Sequence, residues 1–190
     1  MHILGIYKTI NNKVNSMNNL KEIKILVEDF KSNNHTSWIK FDTERLRNKS
    51  KNLWKPITGN KEIIDLLDGF IVNKFNFEPL GKDWSENDKK YVQSCLEFAL
   101  SCNMLHGFDA WSKKKAKELT GLILESFKGE VRYFSNVKKS EFFLYCRHND
   151  PRSTDQEYGV IIYDRKNICG IWISQHDDPF LIKVDLNKLK

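Results

Sequence analysis

The sequence predicts an α+β fold in which N-terminal helices pack on a C-terminal antiparallel β-sheet. Three observations lead there. Apolar residues recur at helical spacing through most of the chain before Gly129, and at a period of two after it. The connections between the later apolar runs are too short for the helix that a parallel crossover needs. The chain of 190 residues is 40% apolar and 12% aromatic, enough for one buried core and unlike a disordered segment. A single domain over residues 1–190 is expected, mainly helical over 1–129 and built of antiparallel strands over 130–190.

The first clear element is "NNLKEIKILVEDFKSNN". Ile23, Leu26, Val27 and Phe30 share one helical face, with Asn18 or Asn19 as cap and Asn33–Asn34 as stop. "HTSWIKFD" alternates and suits a short strand. "TERLRNKSKNLW" reads as a basic amphipathic helix that Pro56 and Gly59 end. "NKEIIDLLDGFIVNKF" places Ile63, Ile64, Leu67, Phe70 and Ile71 on one face behind a cap at Asn60. "DWSENDKKYVQSCLEFALSCNML" is expected to begin with a capping box at Ser85 and Asp88 and to be apolar around much of its circumference. "FDAWSKKKAKELTGLILESFKG" follows, capped near Asp109 and stopped by Gly129. Beyond it, "EVRYFSNV", "SEFFLYCRH", "EYGVIIYD", "ICGIWIS" and "FLIKVDL" read as up to five strands. "YDRKN" makes the tightest turn.

Cys95, Cys102, Cys146 and Cys169 form no CxxC and lie in apolar stretches, as reduced, packed thiols do. No zinc-ligand spacing is visible, and neither a metal nor a cofactor is implied. No apolar run approaches the length that spans a bilayer, and "MHILGIYKTINNKV" is neither a secretory signal nor a transit peptide. A cytoplasmic protein with no membrane partner is expected. Net charge is +6, and residues 1–60 hold the excess, with eleven Lys or Arg against five Asp or Glu.

Some motifs invite chemistry. "LGIYKT" opens like a GIY-YIG nuclease, but the second half of that signature is missing. Asp164-Arg165-Lys166 has the D-x-K spacing of the PD-(D/E)xK nucleases, yet it stands where two apolar runs must reverse, so a hairpin turn explains it. No P-loop, dinucleotide-binding glycine pattern, HExxH or nucleophile elbow occurs.

Strand directions give a geometric expectation. If the strand ending at His148 runs up, the next runs down to the turn at 164–167 and the third runs up again. His176, Asp177 and Asp178 then finish at the same end as Arg147, His148, Asp150, Asp155, Glu157 and Tyr158. That rim is a polar edge without a role, a contact surface for a basic partner, or a catalytic or metal site in which His148 and His176 act as acid and base and Arg147 stabilises a charged transition state.

The helical first two-thirds, the hairpin "GVIIYDRKNICGIWIS" and the acidic "QHDD" resemble in arrangement the immunity proteins of bacterial contact-dependent growth inhibition. The resemblance implies a non-enzymatic cytosolic protein that binds and neutralises a toxin domain, often a nuclease. Asp150, Asp155, Glu157, Tyr158, Asp177 and Asp178 would be its partner contacts, the acids imitating phosphates to a basic cleft. The net +6 departs from the acidic balance of a nuclease inhibitor. The alternative is a nucleic-acid-binding protein or a metal-independent RNase-like enzyme. In it Lys40, Arg45, Arg47, Lys49, Lys51 and Lys55 track the phosphate backbone, Trp38 and Trp54 stack on bases, and His148 and His176 do the chemistry.

Overall fold

The computed structural model describes residues 19–34, 37–102, 109–137 and 156–175. Four helices and five strands lie among them. Helix α1 covers residues 19–33. Strand β1 (Ser37–Arg45), α2 (Lys61–Phe75), β2 (Ser85–Asn87), α3 (Lys89–Ser101), α4 (Lys113–Glu125), β3 (Arg132–Ser135), β4 (Gln156–Tyr163) and β5 (Asn167–Gln175) follow. Two 3₁₀ turns, Lys51–Trp54 and Gly81–Asp83, flank α2. The α+β class expected from the periodicity is present.

The strands form one antiparallel sheet in the order β1-β5-β4-β3-β2. Its edges come from the part of the chain expected to be mainly helical. The middle is the β4–β5 hairpin, where Gln156 opposes Gln175 and Tyr163 opposes Ile168. Strand β3 pairs directly with β4, Arg132 opposite Tyr163. The segments "SEFFLYCRH" and "FLIKVDL", expected as strands, lie outside the described residues.

Helices cover both faces. On one face Ile23, Val27 and Phe30 of α1, Val92 and Leu96 of α3 and Leu119 and Ile123 of α4 pack on Ile39, Val160, Ile162 and Ile171. On the other, Ile63, Leu67, Phe70 and Ile71 of α2 pack with Leu53, Leu80 and Trp84 on Phe134, Ile161, Tyr163 and Trp172. This explains why "GVIIY" and "ICGIWI" are apolar almost without alternation: a strand buried on both faces has no solvent side to mark with polar residues. Asp29 ties α1 to α4, accepting from Trp111 Nε1 at 2.9 Å and Lys115 Nζ at 2.8 Å. That hydrogen bonding holds its carboxyl below the usual range.

Helix ends follow local chemistry. Asn60 caps α2, and Asn76 ends it in the left-handed conformation, φ 57°. Asp88 caps α3 by accepting from Tyr91 N at 2.8 Å. The capping box with Ser85 does not form, because Ser85 belongs to β2 and opposes Ser135. Phe98 is largely exposed, so α3 keeps a solvent side that its composition does not suggest. Ser112, not Asp109, caps α4, and Asp109 bridges to Cys102. Among the described residues Cys95, Cys102 and Cys169 are joined in no disulfide.

The clearest departure is "TERLRNKSKNLW", which is not a helix. Thr43, Glu44 and Arg45 continue β1, opposite Cys169, Ile168 and Asn167. Pairing over nine residues outweighs a modest helical propensity. The following turn is set by polar side chains. The Glu62 carboxylate accepts from Asn48 Nδ2, Ser50 Oγ and Asn52 Nδ2 at 2.9–3.1 Å. No helix among the described residues is long and apolar enough to cross a membrane.

Candidate functional site

The β4–β5 hairpin gives the sheet two unlike ends. At one, the chain enters β4 and leaves β5 side by side, as the strand directions require. Of the residues expected there, Arg147, His148, Asp150, Asp155, His176, Asp177 and Asp178 lie outside the described residues. Glu157 and Tyr158 are described, and both are corrections. Glu157 is 4% exposed, and its Oε2 accepts from Trp172 Nε1 at 3.1 Å under the α2 layer. Tyr158 is fully buried on the opposite face, in the core that α1, α3 and α4 cover. Both side chains are interior, so neither presents itself to a partner. Burial raises the Cys95 thiol, and hydrogen bonding to Tyr91 and Tyr158 opposes it.

The other end is the turn. Asp164 holds it: Oδ1 accepts from Lys166 N at 2.7 Å and Asn167 N at 2.8 Å, and Oδ2 from Lys128 N at 3.1 Å. A carboxylate so occupied is a turn-former, as expected for "YDRKN". The basic segment meets this turn. Leu46 N donates to Lys166 O at 2.7 Å. Lys49 Nζ donates to Arg165 O at 2.9 Å and to Leu46 O at 3.2 Å. Arg45 opposes Asn167, and Arg165 lies 4.5 Å over the Trp54 ring. Arg45, Arg47, Lys49, Lys51 and Lys55 thus share one end with Arg165, Lys166 and Lys128. Of the last three, Arg165 and Lys166 were read from the sequence only as part of a turn, and Lys128 was not singled out. Their signal was the turn itself, which brings Arg165 and Lys166 to whichever strand lies beside β5.

Lys40 does not join them. It sits mid-strand opposite Trp172. Its Nζ donates to Phe75 O at 2.6 Å and lies 4.2 Å from the Phe77 ring centroid and 5.4 Å from that of Trp38. Burial lowers its pKa against the opposing pull of Glu157. Placing it on a phosphate-tracking surface is corrected. Trp38 and Trp54 are half-buried, and each already has a cation over its ring and an aromatic neighbour, Phe77 and Tyr163 respectively. Each ring thus already has a cation over it, which weakens base stacking.

A polar knot around the buried Arg132 stiffens the basic end. Arg132, 8% exposed, forks onto Glu86, Nε to Oε1 at 2.9 Å and Nη2 to Oε2 at 2.5 Å. Its Nη1 donates to Leu53 O and Lys55 O at 2.5 and 2.7 Å, and Tyr163 Oη donates to Leu53 O at 2.7 Å. Burial pushes the Tyr163 hydroxyl up to about 12 against the opposing effect of Arg132. The 3₁₀ turn carrying Lys51 and Lys55 is therefore fixed to β3 and β4 through charge-assisted bonds.

At this end of the sheet cations stand on a fixed backbone. Nearby carboxylates are committed: Glu130 to Arg165 at 2.6 Å, Glu44 to Lys74 at 2.9 Å, Glu62 to the turn. No group of three or more His, Cys, Asp or Glu among the described residues is placed to hold a metal ion. The arrangement suits attraction of an anionic surface. Comparison of the chain with protein-family models, with curated proteins and with solved structures returned no match.

Proposed function

We propose that this chain is a non-enzymatic binding protein of the immunity kind, acting in the cytoplasm, and that it neutralises a toxin domain by presenting its basic end to an acidic face of that partner. The observation that carries the reading is the gathering of Arg45, Arg47, Lys49, Lys51 and Lys55 with Arg165 and Lys166 around the β4–β5 turn. Charges held on a rigid frame steer encounter and select partners at little ordering cost. The contact face differs from the acidic rim considered from the sequence, and it accounts for the basic excess that such a rim leaves unexplained. Nucleic acid is the rival anion. The cations over the Trp38 and Trp54 rings count against a stacking mode, and duplex backbone binding is left to the experiment.

The test uses wild-type protein and an Arg47→Glu/Lys51→Glu/Lys55→Glu variant as baits in lysate of the source cell. The expected result is one stoichiometric protein that wild type retains and the variant loses, and that arrests growth when produced without this chain. Recovery of RNA or DNA in place of that protein would overturn the proposal, as would equal retention by both baits.

A further inference from the structure

A cleft of about 310 Å³ opens between the start of α1, the end of α4 and the ends of β1 and β5. Its walls are apolar: Leu20 and Ile23 from α1, Phe41 and Cys169 from the sheet, Ile123 and Phe127 from α4 and just beyond. Its volume is at the small end of the range for ligand pockets.

The polar groups at its mouth are unlike one another in what they have left to offer. Thr43 Oγ1 donates to Ile168 O at 3.1 Å, and Ser126 Oγ donates to Leu122 O at 2.7 Å, so both hydroxyl protons are committed. The Glu44 carboxylate is held by Lys74. Arg45 makes no ion pair with a described residue. Asn167 engages its neighbours through its backbone. Arg45 and Asn167 stand directly opposite on the β1–β5 ladder, and both line the cleft. Opposed residues on one sheet face have β-carbons about 5 Å apart. A guanidinium beside a carboxamide N–H₂ at that spacing is a pair of donors awaiting an acceptor with two oxygens.

The geometry points to a binding site for a small monocarboxylic acid with a compact apolar body, of the size of a medium-chain fatty acid. The carboxylate spans Arg45 and Asn167, and the chain lies between Ile23, Phe41, Ile123 and Phe127. Arg45 is exposed, so the head stays hydrated while the body loses contact with water. The site shares Arg45 with the partner surface proposed above, but Arg47, Lys51 and Lys55, which the test of that surface changes, do not line the cleft.

Isothermal titration of the full chain with decanoate tests it, with decylamine as a control of the same length and opposite charge. Saturable one-to-one binding of decanoate is expected, with decylamine at least tenfold weaker. Arg45→Gln reduces decanoate affinity at least tenfold, and Ile123→Phe, which fills the cleft, does the same. Arg47→Glu/Lys51→Glu/Lys55→Glu leaves it within a factor of about three. Absence of saturation overturns the proposal. So does equal binding of acid and amine, or an Arg45→Gln variant that binds as wild type. Arg45 is exposed, so that variant remains informative if the filled core does not fold.

Discussion

The ring of Trp172 lies across Gly159, its register partner on β4, so closely that a β-carbon at 159 would fall 2.0 Å from ring Cε3. Phe70 of α2 uses Gly170 in the same way, with a β-carbon there 2.6 Å from Cε1. The two strand glycines are thus spaces that aromatic side chains occupy.

Gly159→Ala and Gly170→Ala are each expected to destabilise the fold, Gly159→Ala by about 3 kcal/mol or more, as overpacking against a ring that cannot retreat. Gly69→Ala in α2 and Gly121→Ala in α4 meet nothing within 4 Å. They are expected to stabilise by about 0.5–1 kcal/mol through helix propensity. Urea unfolding of the four variants checks both signs. A tolerated alanine at 159 would contradict the packing described.

Arg132→Ala is expected to cost about 2–3 kcal/mol, because it leaves Lys55 O without its donor, takes one of two donors from Leu53 O and removes the fork from Glu86. Arg132→Lys should recover little of this, since one ammonium cannot fork onto the carboxylate and also reach Leu53 O and Lys55 O. Denaturant midpoints measure both. A lysine variant as stable as wild type would mean that charge alone suffices there.

The raised hydroxyl of Tyr163 predicts an alkaline limit. Its contribution is complete below the unfolded value near 10 and is lost as pH rises toward about 12. Over that window stability should fall by about 2 kcal/mol from this group. Absorbance titration of phenolate in the native protein is expected to show a late-ionising component, to which Tyr163 and, through its own burial, Tyr133 contribute. The latest part of that component is lost in Tyr163→Phe, and a titration unchanged by the substitution would assign it elsewhere.

Burial holds the Cys169 thiol well above the ordinary thiol range, while Cys102 at the end of α3 is raised less. Maleimide labelling in native conditions is expected to spare Cys169 and to modify it only after denaturant opens the sheet. Rapid native labelling at 169 would show that the sheet opens locally.

Much of the scaffold was legible. The stripes Ile63, Leu67, Phe70, Ile71 and Ile23, Val27, Phe30 are buried as their spacing implies, and Asp164 forms the turn that its neighbours imply. What was illegible depended on distant partners. Thr43-Glu44-Arg45 is strand because β5 lies beside it, and nothing local marks that. Ser85–Asn87 is too short for a period of two to register. Glu157 reads as a surface acid until Trp172 and the α2 layer are placed over it. Of the site, the cations of residues 45–55 were visible as a cluster in sequence. Lys40 was grouped with them because alternation cannot say which face an aromatic cage will close over. The completion of that end by Arg165 and Lys166, and the cleft beside Arg45, follow from strand order, which the alternation leaves open.

The placement of β1 bears on how the molecule is made. Thr43 bonds to Ile168, 125 residues further along, and the whole of β1 finds its neighbour in the last strand described. At ribosomal rates of roughly 5–20 residues per second, that strand waits roughly 6–25 seconds for its mate. Its apolar side chains Trp38, Ile39 and Phe41, which end in the two core layers, lack the cover of β5 throughout. Closure of the sheet is a late, long-range event, of the kind that slows folding and leaves nascent chains in need of chaperone cover.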